Sequence, residues 1–454
     1  METRLADWVR ASPDGATADS ILRACVHCGF CLATCPTYQV LGDELDSPRG
    51  RIYLIKQVLE SSIATRETQI HLDRCLTCRS CETTCPSGVE YGHLVDIGRA
   101  AVESRVRRPW TERLYRWLLR EGVSRPRLFG SAMRIGRLLR WALPATLRAK
   151  LSVDRPSGSW PGRQHARKVL LARICAQAAL SPSIDFATAR VLDRLGVQTL
   201  VIEGAGCCGA IHQHLADHAG ARARIRANID AWWPCIESGE VEALIVNASG
   251  CGAMIKDYAH LMRNDPAYAQ KARRVVELVR DPAEFLPACL ASTATRTSAG
   301  VPSSGSLPGP PGSALPIAAS ATSRPAASPA APAASPARNP AGNLPMKIAF
   351  HSPCSLQHGL KIRGEVEKLL QSLGAELVPV ADGHLCCGSA GTYSLLQPQL
   401  SESLRARKLA CLLAGQPQTV LSANIGCITH LQQGTTVPVR HWIEWLDETL
   451  AQPP

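Results

Sequence analysis

The sequence has no run of roughly eighteen apolar residues, the length that a membrane-crossing helix needs. Its best candidate, around residues 169–180, is broken by Arg173. The opening residues (Met1-Glu-Thr-Arg-Leu-Ala-Asp-Trp8) lack the basic segment followed by an apolar one that marks a secretory signal. A cytoplasmic chain is therefore expected, with its 19 cysteines as thiolates rather than disulfides. No nucleotide-binding loop and no Ser-His-Asp set stands out, so neither a flavin site nor a catalytic residue is expected within this chain. Acidic residues are scarce at 105–150, where 13 Lys/Arg face only Glu112 and Glu121; this stretch carries nearly all of the net charge of +12. The remainder is close to neutral, so no nucleic-acid partner is expected.

What the chain does have is ordered cysteine. Cys25, Cys28, Cys31 and Cys35 precede Pro36, and Cys75, Cys78, Cys81 and Cys85 precede Pro86. Each run reads C-x2-C-x2-C-x3-C-P. Three thiolates at i, i+3 and i+6 wrap one cubane, and in two-cluster ferredoxins the fourth crosses to the other cluster. The spacing thus predicts two [4Fe–4S] clusters. One is held by Cys25, Cys28, Cys31 and Cys85, the second by Cys75, Cys78, Cys81 and Cys35. Structural zinc is the rival reading for paired cysteines, and the doubled four-cysteine pattern argues against it. The 39 residues between the runs can hold a helix pair. Asp19-Ser20 reads as a helix N-cap, 42–51 as a polar loop, and 89–104 as a further helix. Arg49 and Arg51 in that loop are either solvated or aimed at cluster sulfurs or a carboxylate.

The stretches CVHCGFCLATCPTYQVLGDELDSPRGRIYLIKQVLE and LDRCLTCRSCETTCPSGVEYGHLVDIGRA resemble the iron–sulfur subunits of bacterial glycolate oxidase (glycolate dehydrogenase). The resemblance is dense over residues 20–105 and looser beyond. It implies partner flavoprotein subunits that carry FAD and oxidise glycolate to glyoxylate, with this chain conducting the electrons away.

Residues 106–160 read as a basic amphipathic helical connector. Trp110, Leu114, Trp117 and Leu118 share one helical face, and Met133, Ile135, Leu138, Leu139 and Trp141 alternate with Arg134, Arg137 and Arg140. Such a segment suits a membrane surface or an acidic partner. It equally suits a helix pair whose apolar face packs inward.

Residues 161–290 and 346–454 then repeat one pattern: strand, Cys, helix, strand, Cys-Cys-Gly, helix, strand, Gly-Cys. Cys175, Cys207, Cys208 and Cys251 correspond to Cys354, Cys386, Cys387 and Cys427, and 31 residues separate the first two positions in both copies. The pattern sets every marked cysteine beyond the carboxyl end of a strand in a parallel sheet, where open α/β folds bind ligands. It resembles the cysteine-rich CCG domain of heterodisulfide reductases and of subunits for lactate utilisation and anaerobic glycerol-3-phosphate dehydrogenation. Met254 and His430 stand where that motif often ends in a further cysteine. Whether the repeats hold an additional iron–sulfur cluster, with His430 as a nitrogen ligand, or keep the buried thiols of an ancestor stays open. Cys235, Cys289 and Cys411 fall outside the pattern, and His212, His214, His358 and His384 near the cysteine loops read as structural. Between the repeats, residues 291–345 contain eleven prolines and no aromatic or acidic residue, the composition of a disordered tether.

The expected fold is thus an α+β multidomain chain, with a mostly helical two-cluster ferredoxin-type domain (1–105) followed by two related α/β cysteine-rich repeats. The expected role is that of the electron-transfer subunit in a glycolate-oxidising complex at the inner face of the membrane, delivering to a quinone-type acceptor. Equivalent subunits for lactate or glycerol 3-phosphate, and thiol redox chemistry at the CCG repeats, are the alternatives.

Overall fold

The computed structural model describes residues 1–142, 156–173, 175–298 and 346–451. The first hundred residues form a helical domain. Helices Gly15–Ala24, Pro48–Ser61, Arg66–Asp73 and Tyr91–Glu103 enclose Leu22, Ile55, Leu59, Leu72, Leu94 and Val102. Asp14, not Asp19, stands at the N-cap of the first of these, and Asp19 lies inside it. The polar loop ends earlier than its composition suggests. Pro48 takes the first helical position, where its missing N–H costs nothing, and Ser47 Oγ accepts from the Gly50 amide at 3.0 Å. Arg49 and Arg51 therefore sit on the first turn of a helix. Gly98 lets this helix approach Tyr91–Glu103 closely, since a Cβ there would stand 2.5 Å from Ile55 Cγ1.

Each repeat is built on a four-stranded, all-parallel sheet. In the first, β1 (Arg167–Leu171), β2 (Val197–Leu200), β3 (Ala243–Ile245) and β4 (Val279–Arg280) are ordered β2-β1-β3-β4. In the second, β5 (Lys347–His351), β6 (Glu376–Leu377), β7 (Thr419–Ser422) and β8 (Val439–His441) repeat that order as β6-β5-β7-β8. Strands β4 and β8 were not legible as strands. Alternate side chains point to opposite faces and both faces are covered, as parallel sheets require. Val169 and Leu171 join Ile348, Phe350 and Leu421 in one core shared by the two repeats. Leu170 and Ala172 face the first repeat's own outer core, and Ala349 and Val420 that of the second.

The two repeats pack reciprocally. Helix Ser183–Arg194 of the first lies against Trp442–Ala451 of the second, and Glu365–Ser372 of the second lies against Pro282–Ser298 of the first. Arg190 Nη2 and Arg194 Nη1 each reach Asp447 at 2.6 Å, and Ser183 Oγ donates to Glu444 at 2.7 Å. Helix Pro282–Ser298 runs past residue 290, beyond the edge that composition gives the first repeat. Residues 299–345 and 143–155 lie outside the described residues.

Helices Trp110–Ser124 and Pro126–Leu138 follow the helical domain. The first of them turns part of its basic face inward. Arg116 pairs with Asp73 at 2.9 Å, Arg120 with Asp217 at 3.3 Å, and buried Arg108 with Asp73 at 2.6 Å. The apolar face is turned outward, with Trp110 at 73%, Leu138 at 77% and Trp141 at 80% exposure. Among the described residues no helix is long and apolar enough to cross a membrane.

Candidate functional site

The cysteine runs fold back on each other through matched backbone turns. His27 and Gly29 in the first run, and Thr77 and Arg79 in the second, take positive φ at equivalent positions. Arg79, a strained position for a side chain-bearing residue, is anchored by an ion pair with Asp257 of the first repeat. One concave site is lined by Cys25, Cys28, Cys31 and Cys85 with Phe30, Pro48 and Ile52. A second is lined by Cys35, Cys75, Cys78 and Cys81 with Leu76 and Arg51. The fourth cysteine of each run thus lines a concavity with the first three of the other. Cys81, Pro48 and Tyr91 border both sites, so the two are neighbours.

The surroundings favour bound thiolates. The Thr77 amide donates to Cys75 Sγ at 3.4 Å, and Tyr91 Oη does so at 3.7 Å. Cys35 Sγ meets Thr37 Oγ1 at 3.3 Å, and Arg51 Nη1 donates to that hydroxyl at 3.1 Å. Arg51 is 1% exposed, bonds the His71 carbonyl at 2.7 Å, and pairs with Asp46 at 3.2 Å. Its charge stands beside Cys35 and Cys75, so it is buried with partners rather than solvated. Arg49 is half-exposed and pairs with Glu44 at 2.8 Å. Burial pushes the Cys31 thiol up to about 11, and holds Cys78 and Cys81 well above the usual thiol range, with neighbouring cysteines adding to it. Such thiols lose their protons when a cation replaces them, so the donor set fits a cluster in each site.

The second repeat brings its four cysteines together at the carboxyl rim of its sheet. Cys354 and Cys386 sulfurs are 3.7 Å apart. Cys386 interacts in turn with Cys387, and Cys387 with Cys427. Gly388 has φ of +89°, which turns its amide to Cys386 Sγ at 3.4 Å; a Cβ there would stand 2.6 Å from the Ser401 carbonyl. His430 Nε2 meets Ser401 Oγ at 3.1 Å. A different histidine occupies the site. One ring nitrogen of His351 lies with the Cys387 and Cys427 sulfurs, all within 4.8 Å of one another. Burial, helped by the Lys408 charge, pushes His351 down to about 3, so its imidazole is neutral. His351 was visible in the sequence as the end of a strand, opposite Ala172 of the first repeat, but its meaning depends on the direction the strand gives it.

In the first repeat Cys207, Cys208 and Cys251 converge, and their mutual contacts raise the Cys208 thiol well above its usual range. The Gly209 amide meets Cys207 Sγ at 3.5 Å, repeating the Gly388 geometry. The Cys175 side chain lies outside the described residues. Contrary to the expectation of no nucleotide-binding loop, Gly204, Gly206 and Gly209 have the G-x-G-x-x-G spacing of a dinucleotide loop, interleaved with the Cys-Cys-Gly motif. The helix that follows is only the five residues Ala210–His214, and the loop delivers cysteines into the core. His212 pairs with Asp217 at 2.8 Å and His214 with Asp96 at 3.5 Å, away from the sulfurs. Cys289 is a core residue.

The second repeat is also the one that adjoins the helical domain's cysteines. Cys78, Cys354 and Cys386 pack around Leu76 and Tyr393. Thr83 Oγ1 meets His358 Nδ1 at 2.8 Å, and Tyr393 Oη donates to the Arg74 carbonyl at 3.1 Å. The three sets of cysteines therefore form a continuous row.

Paired cysteine sites feeding an α/β cysteine-rich unit define an iron–sulfur electron-transfer protein. Residues 21–89 match the 4Fe-4S dicluster domain, and residues 172–256 and 348–432 each match the Cysteine-rich domain. The chain is 48% identical to the glycolate oxidase iron-sulfur subunit of Escherichia coli (strain K12), over 99% of both chains. It is 27% identical to the probable glycolate oxidase iron-sulfur subunit of Bacillus subtilis (strain 168), covering 90% of this chain and 88% of that one. Lactate utilization protein A of Bacillus licheniformis is 25% identical over 58% of this chain and 90% of its own. The chain belongs to the family of glycolate oxidase iron-sulfur subunits.

Proposed function

We propose that this chain is the electron-conducting subunit of a glycolate-oxidising complex. Flavin on partner subunits accepts two electrons from glycolate, and this chain takes them singly and passes them towards a quinone-type acceptor. Two [4Fe–4S] clusters supply the one-electron chemistry. Cys25, Cys28, Cys31 and Cys85 hold one, and Cys35, Cys75, Cys78 and Cys81 the other. The observation that carries this reading is the exchange of Cys35 and Cys85 between adjacent sites, which brings two four-thiol sets to a common wall. Arg51 and Thr37 stabilise the charged form of the second set, and apolar Phe30 and Ile52 line the first. The full-length, near-half-identical match favours glycolate over lactate, whose relatives align to little more than half of this chain.

The exposed face of Trp110, Leu114, Trp117, Leu118, Leu138 and Trp141 supports peripheral contact with the cytoplasmic face of the membrane, where a quinone would be met. With Arg116 and Arg120 of the first helix paired inward, this face presents mainly apolar side chains.

The test is co-purification with the flavoprotein subunits and a glycolate-dependent dye-reduction assay. The complex should reduce dye, and the isolated, flavin-free chain should not. Activity of the isolated chain, or a complex that prefers lactate, would overturn the reading.

A further inference from the structure

The two repeats share a fold but not a donor set. In the second, His351 ends β5 fully buried, and its Nδ1 bonds Ser422 Oγ at 2.9 Å. Its Nε2 is buried without a hydrogen-bond partner. A buried imidazole nitrogen left unpaired costs stability, so its retention calls for a ligand. The first repeat has Ala172 in place of His351 and Val246 in place of Ser422. The imidazole and the hydroxyl that orients it are thus present together or absent together. That coupling is typical of a metal-bound histidine and its supporting hydrogen bond.

The surrounding groups point the same way. His351 shares its 4.8 Å triad with Cys387 and Cys427, and the Cys354–Cys386 separation of 3.7 Å is close to that of thiolates sharing one metal ion. Asn424 Nδ2 donates to Cys427 Sγ at 3.4 Å. Lys408, itself buried and bonding the Asp382 carbonyl at 2.7 Å, brings a positive charge beside Cys386 and Cys387. A buried cation there offsets the negative charge that several thiolates and sulfides would gather.

We propose that the second repeat holds a third iron–sulfur centre, with His351 Nε2 as a nitrogen ligand beside Cys354, Cys386, Cys387 and Cys427. The proposal rests on the two-cluster reading of the N-terminal domain, because the third centre continues that row through Cys78 and Cys354. The buried Lys408 cation beside the thiolates, with a neutral imidazole where a further thiolate would add charge, makes such a centre easier to reduce. The third centre is therefore the first to fill in a reductive titration, and the electron sink of the row.

The test uses the full chain, matured anaerobically with iron and sulfide and labelled with [15N]histidine. Iron is counted, and pulsed electron paramagnetic resonance is recorded at each step of the titration. Iron beyond the eight of two cubanes, with a third signal that appears first and carries a nitrogen coupling, is the expected result. In His351→Ala that coupling is lost while both N-terminal signals stay. In His351→Cys the signal persists without the coupling and appears later. Eight irons and only two signals would overturn the proposal and leave the two-cluster reading standing. A third signal without nitrogen coupling, or zinc in place of the extra iron, would overturn the His351 assignment. Loss of the N-terminal signals in the unmodified chain would overturn both readings together.

Discussion

Arg51 and Asp46 form an ion pair at 3.2 Å in which neither side chain reaches solvent. Arg74 at 2.8 Å and His71 at 3.1 Å complete the coordination of that carboxylate. Breaking a buried pair by removing one partner leaves the other charge uncompensated, at a cost of about 3–5 kcal/mol. Asp46→Ala should therefore lower the temperature at which the N-terminal domain loses its visible cluster absorbance. It should also make the clusters bleach faster in air. An unchanged midpoint would show that the pair is dispensable.

Exchange of the fourth cysteines makes single substitutions act across the sequence. Cys35→Ser should disturb the site of Cys75, Cys78 and Cys81 and spare that of its own run. Cys85→Ser should do the reverse. Electron paramagnetic resonance of the reduced variants distinguishes the two sites. Damage confined to each residue's own run would refute the crossed arrangement.

The outward apolar face predicts that binding to lipid vesicles depends on hydrophobic contact more than on charge. Each large side chain fully withdrawn from water contributes about 1.5–3 kcal/mol, against about 1 kcal/mol for each surface cation. Trp110→Ser, Leu138→Ser and Trp141→Ser combined should reduce co-sedimentation with vesicles at least tenfold, with iron content unchanged. Arg134→Gln with Arg140→Gln should alter mainly the salt dependence. Arg137 is unsuitable for this test, since its Nη2 donates to the Leu180 carbonyl at 3.3 Å. Equal sedimentation of the triple variant would mean that another surface meets the membrane.

Asp281 supplies a pH dependence. It is buried at the end of β4, where desolvation raises its carboxyl to about 7, with Glu284 adding to the shift and an amide bond from Ala283 opposing it. A folded-state value above the unfolded one means that the native state holds the extra proton between about pH 4 and pH 7. Stability contributed by this group is therefore full below pH 4 and declines as pH rises through 7, by a few kcal/mol at most. Asp281→Asn keeps a neutral acceptor for Ala283. Its thermal midpoint relative to the parent should rise from pH 5 to pH 8; a constant difference would exclude the effect.

The cysteine spacing made the eight N-terminal thiols and their exchange legible, because cluster geometry dictates sequence separation. The repeat was legible for the same reason: its strands and cysteines recur at fixed intervals. What spacing could not reveal was direction. Trp110, Leu114, Trp117 and Leu118 were readable as one helical face, but only Asp73 and Asp217, distant in sequence, determine that Arg116 and Arg120 turn inward. His430 stands at the motif position and meets Ser401, whereas His351 is brought beside Cys387 and Cys427 by the pleat of β5. Strands β4 and β8, at three residues or fewer each, carry too little pattern to be seen before their neighbours fix the register.

Because each repeat completes its core with helices from the other, neither carries a finished surface of its own. Separated, each would expose the face now covered by Trp442, Ile443 and Leu446, or by their counterparts in the first repeat. Such a face is met at once by a second copy of the same unit. The covalent link between the repeats works as a concentration term: it holds the correct mate far above the concentration of any stranger in solution. The chain thereby behaves as a dimer with a stoichiometry that cannot drift. The two halves are also free to differ, which a true homodimer could never allow.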